Sequence, residues 1–188
     1  MKIACLTMLT FGVAAQGLSA QEDAGSTSYG QQTSGYIEII EKVRKAEAEC
    51  IQVIDGINKD IVMKADGTPP YVLVQKREIQ AIYFVQSIRS VSAVTSLVRF
   101  LGLAIVEKNA DSSKFTFEKT ADKALQDIGL PSVDEIIREI KNGKIAPKNY
   151  DDSWNVLKGI CGKETVIERV RHLGFHEDPT ISIFLKIK

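Results

Sequence analysis

Residues 79–106 constrain this chain more than any other stretch. Ala81, Ile82, Phe84, Val85, Ile88, Val91, Val94, Leu97, Val98, Leu101, Leu103 and Ile105 would cover well over half the circumference of a helix. A helix apolar most of the way round belongs in the middle of a domain, because a solvated face would leave too much apolar area in water. Arg89 and Arg99 interrupt the run, and Ser90-Val91-Ser92 or Gly102 are expected to kink or split it. A membrane-inserting hairpin is the alternative for these residues. Against it, the 16 residues 91–106 fall short of the roughly 20 that span a bilayer, and they include Arg99.

The remaining segments read as elements wrapped around that centre. From Tyr36 to Ile61, apolar residues recur at spacings of three and four: Tyr36, Ile40, Val43, Cys50, Ile54, Ile57 and Ile61. That spacing predicts an amphipathic helix of about 26 residues, with Ser34 or Gly35 as its cap. Glu47 is the one charged residue on the stripe, and it is expected to pair with Arg89 or Arg99 or to lie at a helix–helix rim. Asp66-Gly67-Thr68-Pro69-Pro70 stops the helix. Residues 71–74 form a short β-type run, and residues 114–118 alternate like a strand.

Short helices are expected at 121–128 with Gly129 as stop, and at 132–140 behind a Ser132/Glu135 capping box. Further helices are expected from Asp151 and from Lys163, the last ending at Gly174. In residues 180–188, Ile181, Ile183, Leu185 and Ile187 alternate strictly, which predicts a C-terminal strand. The fold class is therefore mainly α: a compact domain of about five or six helices with a small antiparallel β element that includes the C-terminal strand.

The N-terminus has another character. Lys2, an uncharged apolar run over residues 4–15, and small residues up to Ala20 have the layout of a secretory signal peptide. Cys5 lies before most of the apolar run, which argues against a lipid anchor. Residues 21–35 are rich in Gly, Ser, Thr and Gln and read as a flexible leader, leaving 36–188 as a single domain. The expected destination is the periplasm or the extracellular space. No Asn-X-Ser/Thr sequon occurs, in agreement with a bacterial exported protein.

Cleavage after Ala20 removes Lys2 and leaves 23 basic and 24 acidic residues. So balanced a charge argues against nucleic acid or an anionic membrane as the main partner. Cleavage also leaves two cysteines, and in an oxidising compartment Cys50 and Cys161 are expected to form one disulfide. Two free thiols and an intermolecular bridge are the alternatives. A closed ring of about 110 residues would contribute about 4–5 kcal/mol by the loop-entropy argument.

Residues with catalytic chemistry are few. His172, His176, Glu177 and Asp178 put metal-ligand types within seven residues, but Gly174 should end the helix between the two imidazoles and break their common face. His172 and His176 are thus weak metal candidates, and neither a metal nor a cofactor is expected. A Cys–His nucleophile built from Cys50 or Cys161 conflicts with an oxidising destination. The neighbouring acids Glu47/Glu49, Asp134/Glu135 and Asp151/Asp152 point about 100° apart if helical and do not face each other. Phosphate loops, nucleophile elbows and metalloprotease motifs are absent.

The sequence therefore favours a non-enzymatic exported domain that binds another protein. It would act as an inhibitor or protective partner, or as an accessory part of a secretion or surface assembly. Strand addition at residues 180–188 is one docking route, involving Thr180, Ser182, Phe184 and Lys186, and the turn at 66–70 is another. Two other readings remain open. One is a small secreted hydrolase using Glu47 or the His172/His176 region, and the other is a membrane-active factor using residues 79–106.

Overall fold

The computed structural model describes residues 28–58, 60–64, 66–108 and 116–186. The expected signal peptide at 1–20 lies outside them. The chain divides into two compact units, residues 1–38 and 39–188. In the first, the described residues 28–38 are helical, where part of a flexible leader was expected.

Eight α-helices and a three-stranded sheet make up the described residues, so the fold is mainly α. Helix α1 spans Ser28–Asp55. Strands β1 (Ile61–Val62) and β2 (Tyr71–Val74) pair antiparallel, and β2 pairs parallel with β3 (Ala104–Glu107). Parallel neighbours need a crossover. It is supplied by α2 (Lys76–Ser87), a 3-10 turn at Val91–Ala93 and α3 (Val94–Val98). Then follow α4 (Thr120–Ile128), α5 (Leu130–Lys141), α6 (Tyr150–Ile160), α7 (Lys163–His172) and α8 (Pro179–Leu185).

The apolar region 79–106 supplies the centre of the core: Ile82, Val85, Leu97 and Phe100 are fully buried. It is not one helix. The Glu78 side chain closes a capping box on Gln75 to start α2. Arg89, in the left-handed region at φ 51°, follows its end, and Ser90 caps the 3-10 turn. Gly102, at φ 77°, then turns the chain into β3. Residues 104–106, expected to continue the helix, form a strand instead, because a strand buried on both faces carries a continuous apolar run with no alternation.

Several other expectations are corrected. The first helix ends at Asp55 rather than near Ile61, and its start lies eight residues before Tyr36. The Ser132 capping box does not form. With Pro131 in its first turn, α5 begins at Leu130, and the Ser132 hydroxyl is buried without a hydrogen-bond partner. Of the strand expected at 114–118, residues 114 and 115 lie outside the described set, and Glu118 makes a single bridge to Ile105.

The C-terminal strand is replaced by α8. Asp178 accepts from the Thr180 and Ile181 amides, and Pro179 occupies the first turn. Both favour a helix start. Ile181 and Phe184, three apart, are then the buried pair, and Ile183 is exposed. Phe184 stacks on Trp154 with centroids 4.9 Å apart and meets Tyr150 edge-on at 5.3 Å. The Trp154 indole N–H donates to the Phe184 carbonyl at 3.1 Å, so α6 carries both the aromatic shelf and the polar latch for α8.

Candidate binding surface

Three places in the 39–188 unit hold the features a functional site would need: an exposed apolar stretch of α1, a small cleft, and a buried carboxylate junction.

The apolar stripe of α1 changes partner along its length. Toward its C-terminal end, Ile54 is fully buried, and Cys50, Ile51 and Val53 pack against the core. Polar contacts tie down the same part. The Ser90 hydroxyl donates to Glu47 at 2.5 Å, and Arg99 donates to the carbonyl and carboxylate of Asp55 at 3.1 and 3.3 Å. Glu47, half-buried, thus accepts from a buried serine, while Arg99 pairs with Asp55. Earlier in the helix, Ile39, Ile40 and Val43 are 53%, 50% and 40% exposed. In the 1–38 unit, Tyr36 and Ile37 are exposed as well.

The cleft, of about 140 Å³, has an apolar floor of Val98, Leu101, Leu103 and Ile145. Arg99, Glu139, Lys144 and Asn149 form its polar rim. Both cations there are already paired, Arg99 with Asp55 and Lys144 with Glu139 at 2.8 Å. The rim therefore offers an incoming anion little uncompensated charge.

The carboxylate junction centres on Asp122, which is buried in the first turn of α4. Its Oδ1 accepts the Gly102 amide at 2.9 Å. Burial pushes this carboxyl up to about 6; the Gly102 hydrogen bond and Lys119 oppose the shift, and the charge of Asp152 adds to it. The sequence reading passed over Asp122. Its one signal was its place three residues before Leu125, on the shoulder of the apolar side of α4.

The candidate residues from the sequence are dispersed or engaged locally. Cys50 and Cys161 are free thiols, which corrects the expected disulfide. Cys50 lies in α1 and Cys161 just after the end of α6, and both pack, half-buried, against the main core. Burial raises both thiol pKa values, with the Glu49 charge adding at Cys50, so neither is activated as a thiolate. His172 is exposed in the last turn of α7, and His176 lies 3.7 Å from Glu177. Among the described residues, no group of three or more His, Cys, Asp or Glu is placed to hold a metal ion.

The acid pairs also separate. Asp134 makes a two-pronged bridge to Arg169, one prong at 2.7 Å, joining α5 to α7. Glu135 pairs with Arg138, and Asp152 pairs with Lys119. The residues expected to dock by strand addition lie in and at the end of helix α8 rather than on a strand edge. Phe184 is core, Thr180 and Ser182 are half-buried in α8, and Lys186 caps its end. No helix among the described residues is long and apolar enough to cross a membrane.

No known protein family, curated protein or solved structure matches this chain.

Proposed function

We propose that this chain is a non-enzymatic protein-binding domain of an exported protein, and that residues 39–43 of α1 are its docking surface. The carrying observation is the exposure of Ile39, Ile40 and Val43 on a helix whose later stripe residues are partly buried at Cys50, Ile51 and Val53 and fully buried at Ile54. Removing an aliphatic side chain of this size from water stabilises by about 1.5–3 kcal/mol. Three such side chains at helical spacing are a standard anchor set for a helix laid into an apolar groove. The occupant proposed is therefore a partner protein presenting such a groove. Glu41, Arg44 and Lys45 flank the anchors with both signs of charge, which suits a mixed polar rim better than a lipid or nucleic-acid surface. An inhibitor, a protective partner or an accessory part of a secretion or surface assembly would each act through such a surface.

The test compares the tagged full-length chain with an Ile40→Asp/Val43→Asp variant, both expressed in the native host. Capture of one protein in stoichiometric amount by the natural chain, lost in the variant with melting temperature and helical content unchanged, is the expected result. Equal capture by both chains, or none by either, would overturn the proposal. An Ile183→Asp chain is the control, because Ile183 is equally exposed on a helix outside the proposed surface.

A further inference from the structure

The two ion pairs at the rim of the small cleft are not held equally. Arg99 donates to the Asp55 carbonyl and carboxylate at 3.1 and 3.3 Å, and its guanidinium lies 5.6 Å from the Phe100 ring centre. The Lys144 ammonium makes a single hydrogen bond, to Glu139 at 2.8 Å. The Glu139 side chain is 10% exposed and the Lys144 side chain 63%. A solvated ammonium thus reaches in to a nearly dry carboxylate.

The backbone at Lys144 does not depend on that bridge. The amides of Lys144 and Ile145 both donate to the Glu139 main-chain carbonyl, at 3.0 and 3.3 Å. The ammonium can therefore swing into water while the turn stays in place. Holding it in the bridge costs a long side chain its rotamer freedom, and an ion pair with one exposed partner returns little. Once it swings out, Glu139 is the charge left to compensate, because a buried carboxylate needs a partner.

Beside this carboxylate lies the apolar floor. Val98, Leu101, Leu103 and Ile145 keep 5%, 5%, 7% and 6% of their surface accessible, whereas the neighbouring Leu97 and Phe100 are closed off completely. Ile61, exposed at the edge of the sheet, forms one wall. The volume of about 140 Å³ is close to that of the apolar cavity, roughly 150 Å³, that takes a benzene-sized guest.

We propose that this cleft binds a small primary amine: one ammonium group on a compact hydrocarbon body of about five to seven carbons. The ammonium replaces that of Lys144 on Glu139, and the hydrocarbon covers the floor and Ile61. One cation is exchanged for another, so the charge at Glu139 stays balanced, and the gain over Lys144 is the burial of the hydrocarbon. A carboxylate ligand would meet Glu139 as a like charge. An alcohol could displace Lys144 only by leaving Glu139 without a countercharge. The site does not rest on the docking role of residues 39–43, none of which lines the cleft.

Three probes with one branched hydrocarbon body separate the heads: 3-methylbutylamine, 3-methylbutan-1-ol and 3-methylbutanoate. Each is titrated into the full chain at neutral pH and followed by methyl NMR at Ile61 and Ile145. The amine is expected to shift both methyls saturably, in the millimolar range for so small a ligand. It is expected to bind roughly tenfold tighter than the alcohol, and the carboxylate to give no saturable shift. Lys144→Met removes the resident ammonium and keeps an apolar stem. The amine is expected to bind that variant roughly tenfold tighter than the natural chain and to raise its melting temperature by more. In Glu139→Gln the preference for amine over alcohol is expected to disappear. Equal affinity of the natural chain for amine and alcohol, no saturable amine shift up to roughly 50 mM, or a preference that survives in Glu139→Gln would overturn the proposal. Should Glu139→Gln fail to fold, Lys144→Met decides: no gain in amine affinity there overturns it equally.

Discussion

Residues 47–57 and residues 39–43 share one amphipathic pattern, yet the first group is bound into the core and the second is left in solvent. Their composition does not distinguish them, since both offer aliphatic side chains at spacings of three and four. The difference lies in what the rest of the domain provides. Ser90 supplies a donor for Glu47, Arg99 binds the last turn of α1 at Asp55, and the core closes over Ile54. Nothing comparable covers Ile39, Ile40 or Val43 among the described residues. Amphipathic spacing identifies a face that gains by being covered; it does not identify the cover.

Substitutions along α1 should separate the two groups, and the largest effect is expected at Ile54. It is fully buried, so Ile54→Ala should cost about 2–5 kcal/mol in denaturant unfolding, through lost burial and the cavity left behind. A loss below about 1 kcal/mol would mean that this end of α1 is not part of the core. Ser90→Ala comes next. It removes the donor to Glu47 and the acceptor for the Ala93 amide, and a loss of about 1–3 kcal/mol is expected by chemical denaturation.

Asp178→Ala extends the comparison to α8, a far shorter helix that the domain does hold. Losing its cap should cost about 1 kcal/mol in thermal or urea unfolding. The smallest stability effect is expected at Ile40. Ile40→Ala should change stability by no more than about 0.5 kcal/mol, as for an ordinary exposed site. A large loss there would show that residue 40 already has a cover within the chain.

Much of the helical framework was legible in the sequence because its stop signals are local. Gly129, Gly143 and Gly174 all take positive φ, at 87°, 71° and 73°, and each lies just beyond or between the helices it was expected to punctuate. The run at 71–74 is a strand as expected. The C-terminus shows how two patterns compete. The alternation of Ile181, Ile183, Leu185 and Ile187 suggested a strand, but the Asp178-Pro179 start and the shelf made by Trp154 and Tyr150 select a helix. Tertiary packing overrode a periodicity only four residues deep.

Long-range contacts were the least legible. No sequence spacing connects Gly102 with Asp122, or Glu47 with Ser90, and both pairs exist only because the crossover folds back on α1 and α4. For the same reason Cys50 and Cys161 could be paired on compartment arguments alone, yet they remain free when their helices are packed. The docking stretch was also hidden, because residues 39–43 read as part of a stripe that the sequence treats as continuous.

A photo-reactive side chain placed at position 40, and separately at position 183, tests the central claim most directly. Both sites are half exposed or more on helices, so they differ in location rather than in access. After irradiation in the native host, the account predicts a single cross-linked protein species from position 40 and none from position 183. No adduct at position 40, or the same adducts from both positions, would contradict it.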